Sequence, residues 1–111
     1  MPDVLGKVAG LSNHYRDGVE RQEIHIPSAQ AAGLPHIHER RVPVDLVVGR
    51  STYQAGVRSK RGYPVVWVCP DLRDADGRKH RLADVLRGAG LRKNQAVKLT
   101  VDGRRVRVGA R

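Results

Sequence analysis

The sequence predicts a mainly β domain of the α+β kind: about seven short strands and two short helices, with the strands closed or nearly closed into a barrel. Three observations carry this reading. Glycine and proline recur throughout, 12 and 6 in 111 residues, with short β-branched runs between them, a pattern of many strands rather than long helices. Several of those runs alternate apolar and polar residues with period two. A chain this small, with few long helices, hides its sheet edges best by curling them.

The elements follow in order. Residues 4–8 read as a first strand, ending in the polar loop that runs from Ser12 to Gly18. Residues 22–26 alternate, with Ile24 and Ile26 on one face and Glu23 and His25 on the other. Pro27 stops that strand, and Ser28 can cap a short helix over residues 29–34, which Gly33 and Pro35 end. Residues 42–48 form the next strand, with Pro43 at an edge or near its start. A turn at Gly49, Arg50 and Ser51 leads into residues 52–57, and the basic loop 58–62 into the apolar strand 65–69. Residues 70–78 are polar and rich in aspartate, so they read as a loop. Leu82, Val85 and Leu86 recur at helical spacing, giving a second helix that ends near Gly88 or Gly90. Strands 97–101 and 105–108 flank Asp102-Gly103, a strong hairpin signal.

Composition bounds the function. One domain spans residues 1–111, with an aliphatic core, since phenylalanine is absent and Trp67 and three tyrosines are the only aromatics. No run approaches the roughly 18 apolar residues that span a bilayer, and the first residues lack the pattern of a secretory leader. The single cysteine, Cys69, excludes an internal disulfide and a cysteine-based zinc cage. The chain therefore reads as cytoplasmic, either a complete small protein or the N-terminal domain of a larger one. Its 21 basic against 11 acidic residues leave a formal charge of +10. Such an excess calls for an anionic partner or serves solubility, and nucleic acid is the default polyanion. The basic residues gather in two places: Arg40, Arg41, Arg50, Arg58, Lys60 and Arg61 in the middle, and Arg104, Arg105, Arg107 and Arg111 at the end.

Among the candidate sites, Arg58, Lys60 and Arg61 lie in an interstrand loop. Arginine can pair in bidentate fashion with guanine, and lysine serves phosphate as a point charge; a solvated turn is the alternative. Asn13 and Gln54 could read adenine by the same bidentate geometry, although for either one alone ordinary loop polarity is the stronger reading. His36 and His38 share a face if extended, but the further ligands of a metal site are missing nearby. Asp71, Asp74 and Asp76 form an acidic turn rather than a calcium loop, lacking its closing glutamate. Cys69 and Trp67 read as core residues. No catalytic set is visible: neither a nucleophile elbow nor a phosphate-cradling glycine loop is present.

Three segments resemble the B3-like DNA-binding pseudobarrels of plant transcription factors and of the recognition domains of some restriction endonucleases. They are residues 22–31 with Ile24, Ile26, Pro27 and Ala29; residues 44–53 with Gly49 and Tyr53; and residues 81–101 with Leu82, Leu91 and Asn94. The resemblance implies an open pseudobarrel that reads the major groove with two arms. The N-arm would comprise Ser12, Asn13, His14, Tyr15, Arg16 and Arg21. The C-arm would comprise Tyr53, Gln54, Arg58, Ser59, Lys60, Arg61 and Tyr63. The chain departs from the family pattern in having Asn94-Gln95 at the usual Gly-Asp turn and no Trp at the start of the second helix.

The expected function is therefore sequence- or modification-specific binding of double-stranded DNA, without catalysis, metal or cofactor, as a recognition module with a fused or associated nuclease. The alternatives are an RNA-binding β-barrel, which needs exposed aromatics for stacking, and a small metal-independent ribonuclease, for which five histidines suffice in number. A protein-interaction module with incidental charge is a further alternative.

Overall fold

A computed structural model of the chain describes residues 3–111; Met1 and Pro2, part of the segment read above for a leader, lie outside the described residues. The chain folds as β1 (Asp3–His14), β2 (Glu20–Pro27), a 3-10 turn (Ser28–Gln30), β3 (Val42–Val48), β4 (Ser51–Arg58), β5 (Val65–Val68), β6 (Asp71–Arg73), β7 (Lys79–Arg81), α1 (Leu82–Gly88), β8 (Ala96–Asp102) and β9 (Arg105–Ala110).

Seven of these strands form a ring in the order β3-β9-β8-β1-β2-β5-β4, and β4 pairs back onto β3. The barrel is closed rather than open. Its closing strand is β3, which runs antiparallel to β4 along its whole length and parallel to β9 from Asp45↔Arg105 to Val48↔Val108. Neither β3 nor β9 keeps a free edge, which removes the unpaired backbone groups an open barrel would expose. The short β6–β7 ribbon hangs from β4 through the pair Gln54↔Arg73.

Period-two alternation fills the interior. Val4 and Val8, Ile24 and Ile26, Val44, Leu46 and Val48, Val66 and Val68, Val97, Leu99 and Val101, and Val106 and Val108 all join one buried cluster. Leu82 and Leu86 of α1, with Leu72 of β6, add to that cluster from one end. One α-helix is present where two helices were expected. The segment after Pro27 makes only a 3-10 turn, and its contribution to the core is Ala31 and Leu34 beyond it. In α1, Asp84 lies in the first turn and Arg87 in the last, matching the helix dipole. The helix then stops at a Schellman cap: Gly90 takes φ +79°, its N–H reaches the Arg87 carbonyl, and the Leu91 N–H donates to Leu86 at 2.8 Å.

Gly6 marks a close approach of β1 and β2. A Cβ there would lie 2.9 Å from the His25 carbonyl oxygen and 3.1 Å from Cγ1 of Ile26. Gly6→Ala is expected to destabilise the fold by about 1–3 kcal/mol, the usual cost of overpacking. A lower urea midpoint with unchanged slope is the expected reading.

Candidate nucleic-acid interface

Strand direction sorts the loops between the two ends of the barrel. Pro27, at the end of β2, pairs with Val65 at the start of β5, and Val42, at the start of β3, pairs with Val57 near the end of β4. The connections 28–41 and 59–64 therefore share one end. The β8–β9 turn joins them, because β1 begins opposite Thr100 and the Asp45 N–H donates to the Arg104 carbonyl at 2.8 Å. That end carries Arg40, Arg41, Arg58, Lys60, Arg61, Arg104 and Arg105, all exposed. Parts of the two arginine clusters, far apart in sequence, thus share one end; Arg50, in the β3–β4 turn, and Arg111, after β9, lie toward the other, and Arg107 lies within β9.

None of those seven cations has a carboxylate within 4.0 Å; of all the lysines and arginines among the described residues, only Arg81, Arg87 and Lys93 do, and these lie at the opposite end. The basic end is also well braced. The Ser28 hydroxyl donates to the Tyr63 carbonyl at 2.8 Å, and the Tyr63 N–H closes a turn onto Lys60. Segment 36–41 runs alongside: His38 bridges to Ser59, the Glu39 N–H donates to the Ser59 carbonyl at 2.9 Å, and Arg41 lies across Gly56. Arg58 and Arg41 also approach Cys69, but burial dominates and pushes that thiol up, so it stays protonated and inert at neutral pH.

The outer wall beside this end carries a register row. Lys7 lies opposite His25, His25 opposite Trp67, and Trp67 opposite Arg58, so the four side chains share the solvent face of β1, β2, β5 and β4. Trp67 is therefore not a core residue as expected. It stands outward between the inward Val66 and Val68, half-buried, with the Tyr63 ring 5.5 Å away in a tilted arrangement.

The opposite end holds the β1–β2 hairpin, the β6–β7 ribbon and α1. Here the hairpin is tied to the ribbon rather than free. The Tyr15 hydroxyl donates to Asp71 at 3.1 Å, and the guanidinium groups of Arg81 and Arg21 stack on its ring at 4.2 and 4.7 Å. Burial, and then the neighbouring Asp71, push the Tyr15 pKa up. Arg81 donates to Asp17 at 2.7 Å, which holds the Asp17 carboxyl below its ordinary range. Lys93, with the Ser12 N–H, does the same for Glu20, and His80, with the Arg78 and Asp76 amides, for Asp74. Depressed carboxyl pKa values stabilise the fold above the unfolded values near 4 and lose that stabilisation as pH falls through the folded ones. The urea midpoint is accordingly expected to drop as pH falls below about 4, and an Asp17→Asn, Glu20→Gln, Asp74→Asn variant should show a flatter acid limb.

The residues expected from sequence separate into two groups. Ser12, Asn13, His14, Tyr15, Arg16 and Arg21 lie at the hairpin end, with Asn13, His14 and Arg16 exposed and Tyr15 engaged internally. Tyr53 joins them, its ring 5.2 Å from His80 in an edge contact, and Gln54 pairs with the ribbon. Arg58, Ser59, Lys60, Arg61 and Tyr63 lie at the basic end, with Ser59 buried at 3 % exposure. Roughly 23 Å of β2, at about 3.3 Å per residue, separates the groups. Sequence reasoning missed the placement of Arg104 and Arg105 at this end; the one local signal was the Asp102-Gly103 turn, which fixes where the hairpin points.

His36 and His38 meet edge to face at 6.1 Å, and no group of three or more metal-ligating side chains occurs among the described residues. No helix among them is long and apolar enough to cross a membrane. Comparison with protein-family models, curated proteins and solved structures returned no match. The reading of function therefore rests on this geometry and charge.

Proposed function

We propose that the protein is a non-enzymatic domain that binds double-stranded DNA, gripping the phosphates with its basic end. The observation that carries this reading is the convergence of Arg40, Arg41, Arg58, Lys60, Arg61, Arg104 and Arg105 on one barrel end without carboxylate partners. Unpaired exposed cations on a braced scaffold supply the counterion-release term that dominates duplex affinity. The B3-like resemblance supports the same partner. In this reading the loop 58–63 is the principal arm, and the exposed Asn13, His14 and Arg16 form a second arm that meets the duplex about seven base pairs away, given roughly 23 Å of strand and 3.4 Å per pair. A recognition module of a restriction or modified-DNA-sensing system, working with a fused or associated nuclease, is the role that fits such a reader.

One observation favours a second reading, an RNA-binding barrel: Tyr63 is 49 % exposed beside the outward Trp67, as a stacking platform would be. Titrating duplex DNA, single-stranded DNA and structured RNA of equal length at two salt concentrations separates the two. The proposal expects duplex binding that weakens steeply with salt. Preferential binding of structured RNA would transfer the case to the second reading, and metal-free RNA cleavage would revive the ribonuclease.

A further inference from the structure

Beside the principal arm lies a small cleft of about 200 Å³, lined by Glu39, Arg58, Ser59, Lys60 and Trp67. Its chemistry is more specific than phosphate attraction requires. Ser59 is among the residues lining the cleft, itself 3 % exposed, and its hydroxyl is the one buried side-chain polar atom among the described residues without a hydrogen-bond partner. Buried hydroxyls are nearly always paired, which makes Ser59 unusual among the cleft's residues. Glu39 is held at φ +66°, in the left-handed region that a glutamate enters only at a cost. The hydrogen bond from its N–H to the Ser59 carbonyl fixes it there. Trp67, the only tryptophan of the chain, forms the aromatic wall.

These groups select among ligands. A bare phosphate or carboxylate would use Arg58 and Lys60 but would face the Glu39 carboxylate and leave the indole unused. A basic peptide side chain would satisfy Glu39 but meet two cations. A flat ring that carries both donors and acceptors suits these groups together: it can lie against the indole, donate to the carboxylate and accept from the guanidinium. We propose that this cleft receives one unpaired nucleobase of DNA, and that it prefers a base with an exocyclic amino group for Glu39. Cytosine offers such a group, its N4 amine being the usual partner of an acidic side chain; thymine has none. The strand leaving the cleft would pass along the row Trp67, His25 and Lys7, which continues away from the arm. The inference goes beyond duplex binding and does not require it.

The sole tryptophan makes the test direct. Oligo-dC and oligo-dT of 12 nucleotides are titrated into the full chain while Trp67 fluorescence is followed, and a labelled blunt duplex is titrated in parallel by anisotropy. Oligo-dC is expected to quench Trp67 saturably and to bind at least fivefold more tightly than oligo-dT, the lower end of base discrimination by one good polar contact pair. Glu39→Gln should abolish that preference and leave duplex affinity nearly unchanged. Equal affinity for the two oligonucleotides without a change in Trp67 emission would overturn the cleft assignment while leaving duplex binding intact. Tighter binding of oligo-rC than of oligo-dC would overturn the assignment to DNA. Duplex binding that is absent while the oligo-dC signal persists would sink the duplex reading alone.

Discussion

Replacing Arg58, Lys60 and Arg61 together by glutamine is expected to weaken duplex binding by about a hundredfold at 0.15 M salt, if each cation neutralises one phosphate. The figure follows from counterion release: each lost contact removes about 0.9 from the salt exponent, so the losses multiply. All three side chains are exposed and none is held by a carboxylate, so the substitutions remove charge without breaking a native ion pair. The fold should therefore keep its urea midpoint. The paired change Arg104→Gln and Arg105→Gln should weaken binding by tenfold or more, because the β8–β9 turn lies at the same barrel end. Arg16→Gln with Arg21→Gln should have a smaller effect. Arg21 is already spread over the Tyr15 ring, and Asp17 and Asp71 stand nearby. A larger loss from the Arg104 and Arg105 pair than from the triple variant would move the principal contact from the loop to the hairpin.

Leu46→Ala is expected to cost about 2–5 kcal/mol, the range for emptying a leucine site in a closed core. Leu46 is fully buried in β3, opposite Tyr53 of β4 and Val106 of β9, so it stands at the seam that closes the barrel. Domains of this size are typically stable by about 5–15 kcal/mol, so the variant would lose a large share of its stability. The measurement is the chemical-denaturation midpoint, with Leu46→Met as a control that keeps most of the volume and should lose less than about 1.5 kcal/mol. If closure at β3 organises the ring, Leu46→Ala should also speed amide exchange in β9, its parallel partner, and not only in β4.

Much of the fold was legible because its signals are local. Strand β3 has the predicted bounds, since Val44, Leu46 and Val48 alternate between Pro43 and Gly49. The ribbon β6–β7 was not legible: strands of three residues made of Asp, Arg, Lys and His, with Leu72 alone buried, carry no alternation to read. The strand pairing that closes the barrel was not legible for a different reason. The β3–β9 pair joins strands about sixty residues apart in parallel, and neither strand's own sequence announces a parallel partner. The same limit applies to the site. The contacts that tie the hairpin, Tyr15 to Asp71 and Asp17 to Arg81, span 56 and 64 residues, so a loop that reads as a free basic arm is in fact pinned. The basic loop 58–63 was visible as composition. Its union with Arg104 and Arg105 depends on which way each strand runs, and only the folded barrel shows that.

A grip of the basic end on duplex phosphates is read from the slope of log Kobs against log salt for a duplex between 50 and 200 mM. Engagement of about five of the seven cations predicts a slope near −4 to −5, falling in magnitude by 2–3 in the Arg58, Lys60 and Arg61 triple variant. A slope near zero, or one that the triple variant leaves unchanged, would show that this end does not hold the phosphates.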